Sequence, residues 1–311
     1  MKNIFLLLTI FTFLNKANSQ DLQKIAPALE VLSNYKNVRD FTISSSGNEV
    51  YVTILSPRPL EEISIIACII KKNGIWQKPE MTNFSGNYKD LEPFLSPNQL
   101  KLYFASNRPL QDSIAEAKDF DIWYVERENI NAEWSKPINI GQPINTEYNE
   151  FYPSIAENNN MYFTSDAPNS KGKDDIFFSK WNNNAYQNPI SLSESINTEG
   201  YEFNAFISAD ESYLIFSGYN RKDGLGSGDL YISYLNEDNT WSKSKNLGKS
   251  FNSKHMDYCP FVDANTNILY FTSRRSTIKN NSFKSINEFE KEINKYENGL
   301  SRIYKTTFQK N

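Results

Sequence analysis

One short segment, an apolar strand closed by a small polar residue, recurs five times and constrains the fold of this chain more than any other feature. It reads VYVT from Val50, LYFAS from Leu102, MYFTS from Met161, LIFSG from Leu214 and LYFTS from Leu269. With Tyr51, Tyr103, Tyr162, Ile215 and Tyr270 as markers, the intervals are 52, 59, 53 and 55 residues. A period of that length holds one small supersecondary unit. A unit with an apolar face left over must stack on its neighbours.

Each copy reads as four antiparallel strands. An acidic residue opens the first: Asp90 in DLEPFLS, Glu150 in EFYPSIA, Glu202 in EFNAFIS, Asp257 in DYCPFVD and, less regularly, Asp40 in DFTIS. The recurrent segment is the second strand, reached through turns rich in Ser, Pro, Asn and Asp. Third strands read DIWYVE from Asp121, DIFFSK from Asp175, DLYISY from Asp229, RIYKTT from Arg302 and EISIIA from Glu62. Short fourth strands carry an aromatic and usually a proline, as in IWQKP, EWSKP, AYQNP and TWSKS.

Repeated four-stranded meanders without long helices specify an all-β fold, a β-propeller. Its blades are expected near 37–85, 88–145, 148–198, 200–252 and 254–308. The last copy stops at its third strand. Pro27 lies 13 residues before Asp40, as Pro137 does before Glu150 and Pro189 before Glu202. Residues 22–32 are therefore expected to supply the missing outer strand and close a ring of five blades. A helix over Ile25–Leu32 is the alternative for that segment, and a sixth, degenerate blade the alternative count.

The first 19 residues read as an export signal, with Lys2, an apolar run from Ile4 to Leu14 and the small-x-small site Ala17-Asn18-Ser19. An uncleaved anchor is the alternative. No other stretch approaches a membrane span, and no cysteine follows the signal as a lipoprotein would need. The expectation is an exported, periplasmic or secreted propeller domain over 20–311. A net charge of −4 with interspersed signs gives no polyphosphate-binding stripe, which argues against nucleic acid. Cys68 and Cys259 fall in different blades and are expected to be free thiols. The aromatic content of 14% suits sheets packed by Tyr, Phe and Trp.

The repeat resembles the TolB-like, WD-like β-propeller repeat of exported Gram-negative envelope proteins. The resemblance rests on DLEPFLSPNQLKLYFAS with DIW, EFYPSIAENNNMYFTS with DIF, and DYCPFVDANTNILYFTS with RIY. It spans about Asn37 to Phe308, and the first copy departs from it. It implies a scaffold or binding module, a role often found beside a peptidoglycan-binding domain.

The loops joining second to third strands share one face and are long and unequal: 107–120, 166–174, 218–228 and 274–300. The opposite turns are short. Unequal loops on a regular scaffold are where binding is normally placed. The longest contains SINEFEKEINKYENG, in which Ser285 and Glu288 make a capping box and Ile286, Phe289, Ile293 and Tyr296 recur at helical spacing. An amphipathic helix is expected there, either packed over the rim or acting as a lid. Arg108, Tyr219, Arg221, Arg274, Arg275 and Tyr296 are the candidate binding residues on this face, being types that supply hot spots.

The entry residues Asp40, Asp90, Glu150, Glu202 and Asp257 are expected to ring the central channel. No cofactor is expected; a hard cation such as calcium held by the ring, or a catalytic carboxylate pair there, is the alternative. A residue repeated in every blade more often does one structural job, since catalysis needs unlike environments. Asp121, Asp175 and Asp229 read as loop caps. DGLGSGD from Asp223 lacks the ending of a phosphate loop, and NEDNTW from Asn236 lacks the Ser and Gly of a sialidase turn. One mature histidine, His255, makes no usual zinc site or triad. The leading expectation is a non-enzymatic module binding a protein, peptide or envelope glycan, and the alternative is a five-bladed glycoside hydrolase.

Overall fold

The computed structural model describes residues 24–57, 63–111, 118–279 and 282–310. The export signal, Glu62 and the middle of the loop 107–120 lie outside the described residues. Five antiparallel sheets form a ring, a five-bladed β-propeller. Blade 2 shows the plan: Asp90–Leu95, Lys101–Ser106 and Asp121–Glu126 pair in sequence, and Ile138–Asn139 adds the outer edge. Blades 3 and 4 repeat it with Glu150–Ile155, Met161–Ser165, Asp175–Ser179 and Ile190–Ser191, and with Tyr201–Ile207, Tyr213–Tyr219, Gly228–Tyr234 and Lys245–Asn246. Blade 1 comprises Val38–Ile43, Glu49–Leu55, Ser64–Lys72 and Glu80–Met81.

Blade 5 is completed from the other end of the chain. Asp257–Asp263, Ile268–Ser273 and Arg302–Thr307 are followed by Ala26–Pro27, which pairs with Lys305 and Tyr304. A 3-10 helix, Glu30–Asn34, then leads into blade 1 and buries Leu32. Ser301 holds the return through its carbonyl, which accepts the Val38 N–H, and Arg302 donates to the Tyr35 carbonyl.

The outer strands correct the sequence expectation by a few residues. The aromatic segments Ile75–Trp76 and Ala185–Tyr186 instead make small hairpins with the third strand or its extension. In blades 1 to 3 the outer strand begins just after the proline, whose missing N–H makes it a poor ladder member. Linker asparagines fix the next blade's spacing. Asn145, Asn197 and Asn252 each bond both the N–H and the C=O of a third-strand residue, Ile122, Ile176 and Leu230.

Every first strand carries a bulge at one equivalent position. Asp40, Glu92, Tyr152, Asn204 and Cys259 all have φ between 49° and 61°, with the register shifting just beyond each. A bulge bends the strand and re-aims a side chain. Here it turns five non-glycine side chains toward the axis. Hydroxyls of the preceding blade meet the exposed amides: Glu92 N–H donates to Thr53, Asn204 N–H to Thr164 and Asp40 N–H to Thr272. Blade 2 has Ala105 at the hydroxyl position, and there the Glu92 carboxylate accepts the Tyr152 N–H at 2.7 Å in its place.

The helix Ile286–Ile293 forms as expected, its Ser285 side chain accepting the Glu288 N–H. It does not pack over the rim. None of its residues is buried, and Ile286 is 68% exposed.

Candidate functional site

The register relocates one of the predicted ring carboxylates. Asp90 faces Ser106, Glu150 faces Ser165, Glu202 faces Gly218 and Asp257 faces Ser273. In blade 1 the residue facing the equivalent Ile54 is Val38, not Asp40. Asp40 instead matches Glu92 and lies two residues deeper, at the bulge.

The four true entry carboxylates turn into their own blades. Each accepts from the linker that precedes it: Asp90 from Ser85, Glu150 from Thr146, Glu202 from Thr198 and Asp257 from Ser253. Three also meet an arginine. Arg108 bonds Asp90 at 2.6 Å, Arg221 bonds Glu202 at 2.8 Å and Arg275 lies 3.2 Å from Asp257. These arginines therefore sit inside the blades, stacked on strand aromatics, and Arg108 is only 8% exposed. Tyr296 packs edge-on against Tyr304 and donates to the Ile303 carbonyl. Tyr219 remains exposed beside Tyr201, and Arg274 faces the axis over Tyr258. Asp175 and Asp229 accept loop N–H groups, while Asp121 is held by Lys118 and Asn139.

The axis is occupied by a network that the sequence reading missed. Arg39 donates from Nε to Asp40 at 3.0 Å and from Nη2 to Glu92 at 2.5 Å and to the Cys259 sulfur. Asn204 donates to Glu92, and the Cys259 thiol donates to the Asn204 side-chain oxygen. Asp40 accepts the Glu92 N–H, and the Tyr152 hydroxyl donates to the Pro260 carbonyl. All five blades thus contribute to one buried polar cluster, and both cysteines are free. Burial pushes the Glu92 carboxyl up from its ordinary range, with Arg39 pulling against it and Asp40 adding to the rise. Burial likewise pushes the Cys259 thiol up.

Above this cluster, on the long-loop face, opens a funnel of about 210 Å³. Its wall is the residue before each bulge, Arg39, Leu91, Phe151, Phe203 and Tyr258, with Arg274 at the rim. The Tyr258 ring has both guanidinium groups near it, Arg39 at 5.2 Å and Arg274 at 5.4 Å from the centroid. Asp174, also in the wall, is pushed up to about 6 by burial, with Asp166 and Asp175 contributing. On the short-turn face lies an apolar bowl of about 390 Å³ floored by Phe94, Ile155, Phe206 and Phe261.

A calcium ion in the ring does not fit this arrangement. Four of the five carboxylates that would hold it are turned into separate blades, Arg39 already holds the fifth, Asp40, and among the described residues no three of His, Cys, Asp or Glu converge as ligands. Among the described residues no helix is long and apolar enough to cross a membrane.

No protein-family model and no curated protein sequence matches the chain. Solved structures do. An α-L-arabinofuranosidase from Lactobacillus brevis is similar over 89% of this chain and 93% of its own, at 13% identity and a TM-score of 0.54. A structure described as a glycoside hydrolase is similar over 92% and 90%, at 8% identity and the same TM-score. At these identities the likeness is one of fold, and the chain is a five-bladed propeller of the architecture that those glycosidases also use.

Proposed function

We propose that this protein is an exported saccharide-binding propeller whose long-loop funnel receives the end of a glycan. The observation that carries the reading is the funnel itself. Half-buried Phe151 and Phe203 line it together with the guanidinium groups of Arg39 and Arg274, over the hydrogen-bonded axial cluster. Apolar rings suit the carbon face of a sugar, and a few fixed donors suit its hydroxyls. A volume below the roughly 300 Å³ of drug-sized sites admits one terminal sugar residue rather than a long chain. The resemblance of the repeat to envelope propellers supports an extracytoplasmic glycan as the target.

Hydrolysis is the second reading, and the fold of the two glycosidases supports it. So does Glu92, whose buried carboxyl holds its proton above the usual range beside Asp40. The geometry favours binding over cleavage. Asp40 and Glu92 share one guanidinium and are 1% and 4% exposed, whereas glycosidase carboxyls flank an open bond at separations of roughly 5–9.5 Å.

A panel of oligosaccharides and chromogenic glycosides separates the readings. The expected result is saturable binding of at least one saccharide, weakened by Phe203→Ala, with no product released. Turnover lost in Glu92→Gln would establish the enzyme instead, and failure of every saccharide to bind would remove both.

A further inference from the structure

On the short-turn face only three of the five first strands send a ring to the axis. The residue paired with the second-strand marker is Thr42 in blade 1, Phe94 in blade 2, Ser154 in blade 3, Phe206 in blade 4 and Phe261 in blade 5. Thr42 and Ser154 are turned aside, their hydroxyls accepting the Leu95 and Ile207 N–H groups of the next blade. Phe94 and Phe206 meet Phe261 edge to face, with centroids 6.3 and 5.2 Å away. Beneath them Phe41 meets Phe261 and stacks on Tyr270 at 3.9 Å. The rings floor the apolar bowl of about 390 Å³, which shares no lining residue with the funnel on the other face.

The floor is not wholly covered: Phe94, Phe206 and Phe261 are 8, 6 and 8% exposed. Tyr213 and Phe308, 5.5 Å apart, continue the apolar wall outward. Charge on the rim is one-sided, with Glu157, Asp210 and Asp263 against a single cation, Lys310. Lys310 is already engaged, lying over Tyr213, donating to Ser212 and standing 3.9 Å from Asp210. Asp263 is held by its own turn, accepting from the Asn265 N–H and the Thr266 hydroxyl. Glu157 is anchored at the rim by its backbone N–H, which donates to the Ala209 carbonyl. Its exposed carboxylate has no hydrogen bond or ion pair among the described residues.

We infer that the bowl is a binding site for an organic ammonium, with a ring or short branched chain on the phenylalanine floor and the charged group on the Glu157 side of the rim. A concave apolar site of several hundred Å³ with a few polar groups at its mouth suits a small ligand. The excess of carboxylates favours a cation and works against the anion of the same shape. An ammonium on a short apolar group belongs either to a free amine or to the N-terminal residue of a peptide. The site does not depend on the saccharide reading.

Calorimetric titration of the full chain with phenethylamine, phenylacetate, the peptide Phe-Gly-Gly-amide and its N-acetyl derivative tests this. Wild type is expected to bind phenethylamine about tenfold or more tighter than phenylacetate. Glu157→Lys should weaken the amine by about tenfold. Ala264→Trp, which places a ring on a turn lining the bowl, should weaken it by at least as much. Both positions are exposed, so both variants are expected to keep the wild-type Tm. Binding of the free peptide at least as tight as the amine assigns the ligand to peptide N-termini, and tighter binding of the amine assigns it to free amines. No binding of either ammonium probe by wild type overturns the proposal. So does phenylacetate or the N-acetyl peptide binding as tightly as its charged counterpart, or an affinity undiminished in either variant.

Discussion

Arg39 and Glu92 meet at 2.5 Å across the boundary between blades 1 and 2, and the same guanidinium also holds Asp40. Removing that cation leaves two buried carboxylates facing each other. Arg39→Met is therefore expected to cost about 3–5 kcal/mol at pH 7, measured by urea unfolding. Part of the loss should return at pH 5, where the carboxyls take up protons. An unchanged midpoint would show that the axial cluster does not tie the blades together.

Glu150 gives stability a pH dependence of a particular sign. Its folded carboxyl is raised to about 7 from an ordinary 4.5, so between those values the folded state binds more protons than the unfolded. Its contribution is intact below about pH 4.5 and is lost as pH rises through about 7, by on the order of 3 kcal/mol. Glu150→Gln should flatten that slope relative to wild type and be the more stable protein at pH 8. Parallel pH–stability curves for the two proteins would contradict this.

Gly218 stands where blades 2, 3 and 5 have serine. A Cβ there would lie 2.8 Å from the Arg221 Cδ and 3.0 Å from the Tyr231 ring. The arginine cannot swing away without leaving Glu202, Ser244 and the Ile196 carbonyl. Gly218→Ala should lower stability by about 1–3 kcal/mol in thermal unfolding. A neutral result would mean that the pair in blade 4 is dispensable.

Closure of the ring by Ala26–Pro27 makes residues far apart in the chain unfold together. Deleting residues 20–35 bares the edge of Arg302–Thr307 and removes Leu32 from the core. Hydrogen exchange should then accelerate in 302–307 and 268–273 first, with blades 2 to 4 protected longer. Uniform exchange across all blades would argue against closure at this seam.

The blade count, the strand order and the closing strand were legible because an apolar strand ending in a small polar residue repeats without interruption. Two of the errors share one cause. Matching Asp40 to Glu150 by its charge slid blade 1 by two residues, and the match of Pro27 to Pro137 carried the same offset: Pro27 pairs with Tyr304 as Asn139 pairs with Trp123. Backbone register, which side-chain type does not reveal, puts Val38 at the entry. Arg108, Arg221 and Arg275 read as exposed hot spots because each follows a strand. Their partners are carboxylates eighteen or nineteen residues away in sequence, brought opposite by pairing across the hairpin. Blade 3 looked the most regular copy, yet Ala167, where its neighbours have arginine, leaves Glu150 without the cation that the other entry carboxylates meet. The axial cluster was illegible, since its members are an Asp, a Glu, a Tyr, an Asn and a Cys that share only a backbone conformation.

Titration of the saccharide selected by the panel into wild type and a Phe151→Ala, Phe203→Ala double variant, with the sugar recovered afterwards, tests the central claim most directly. Loss of two stacking rings should weaken binding by about tenfold or more while the recovered sugar remains intact. Unaltered affinity in the double variant would place the saccharide elsewhere, and cleaved sugar from wild type would make the protein a hydrolase.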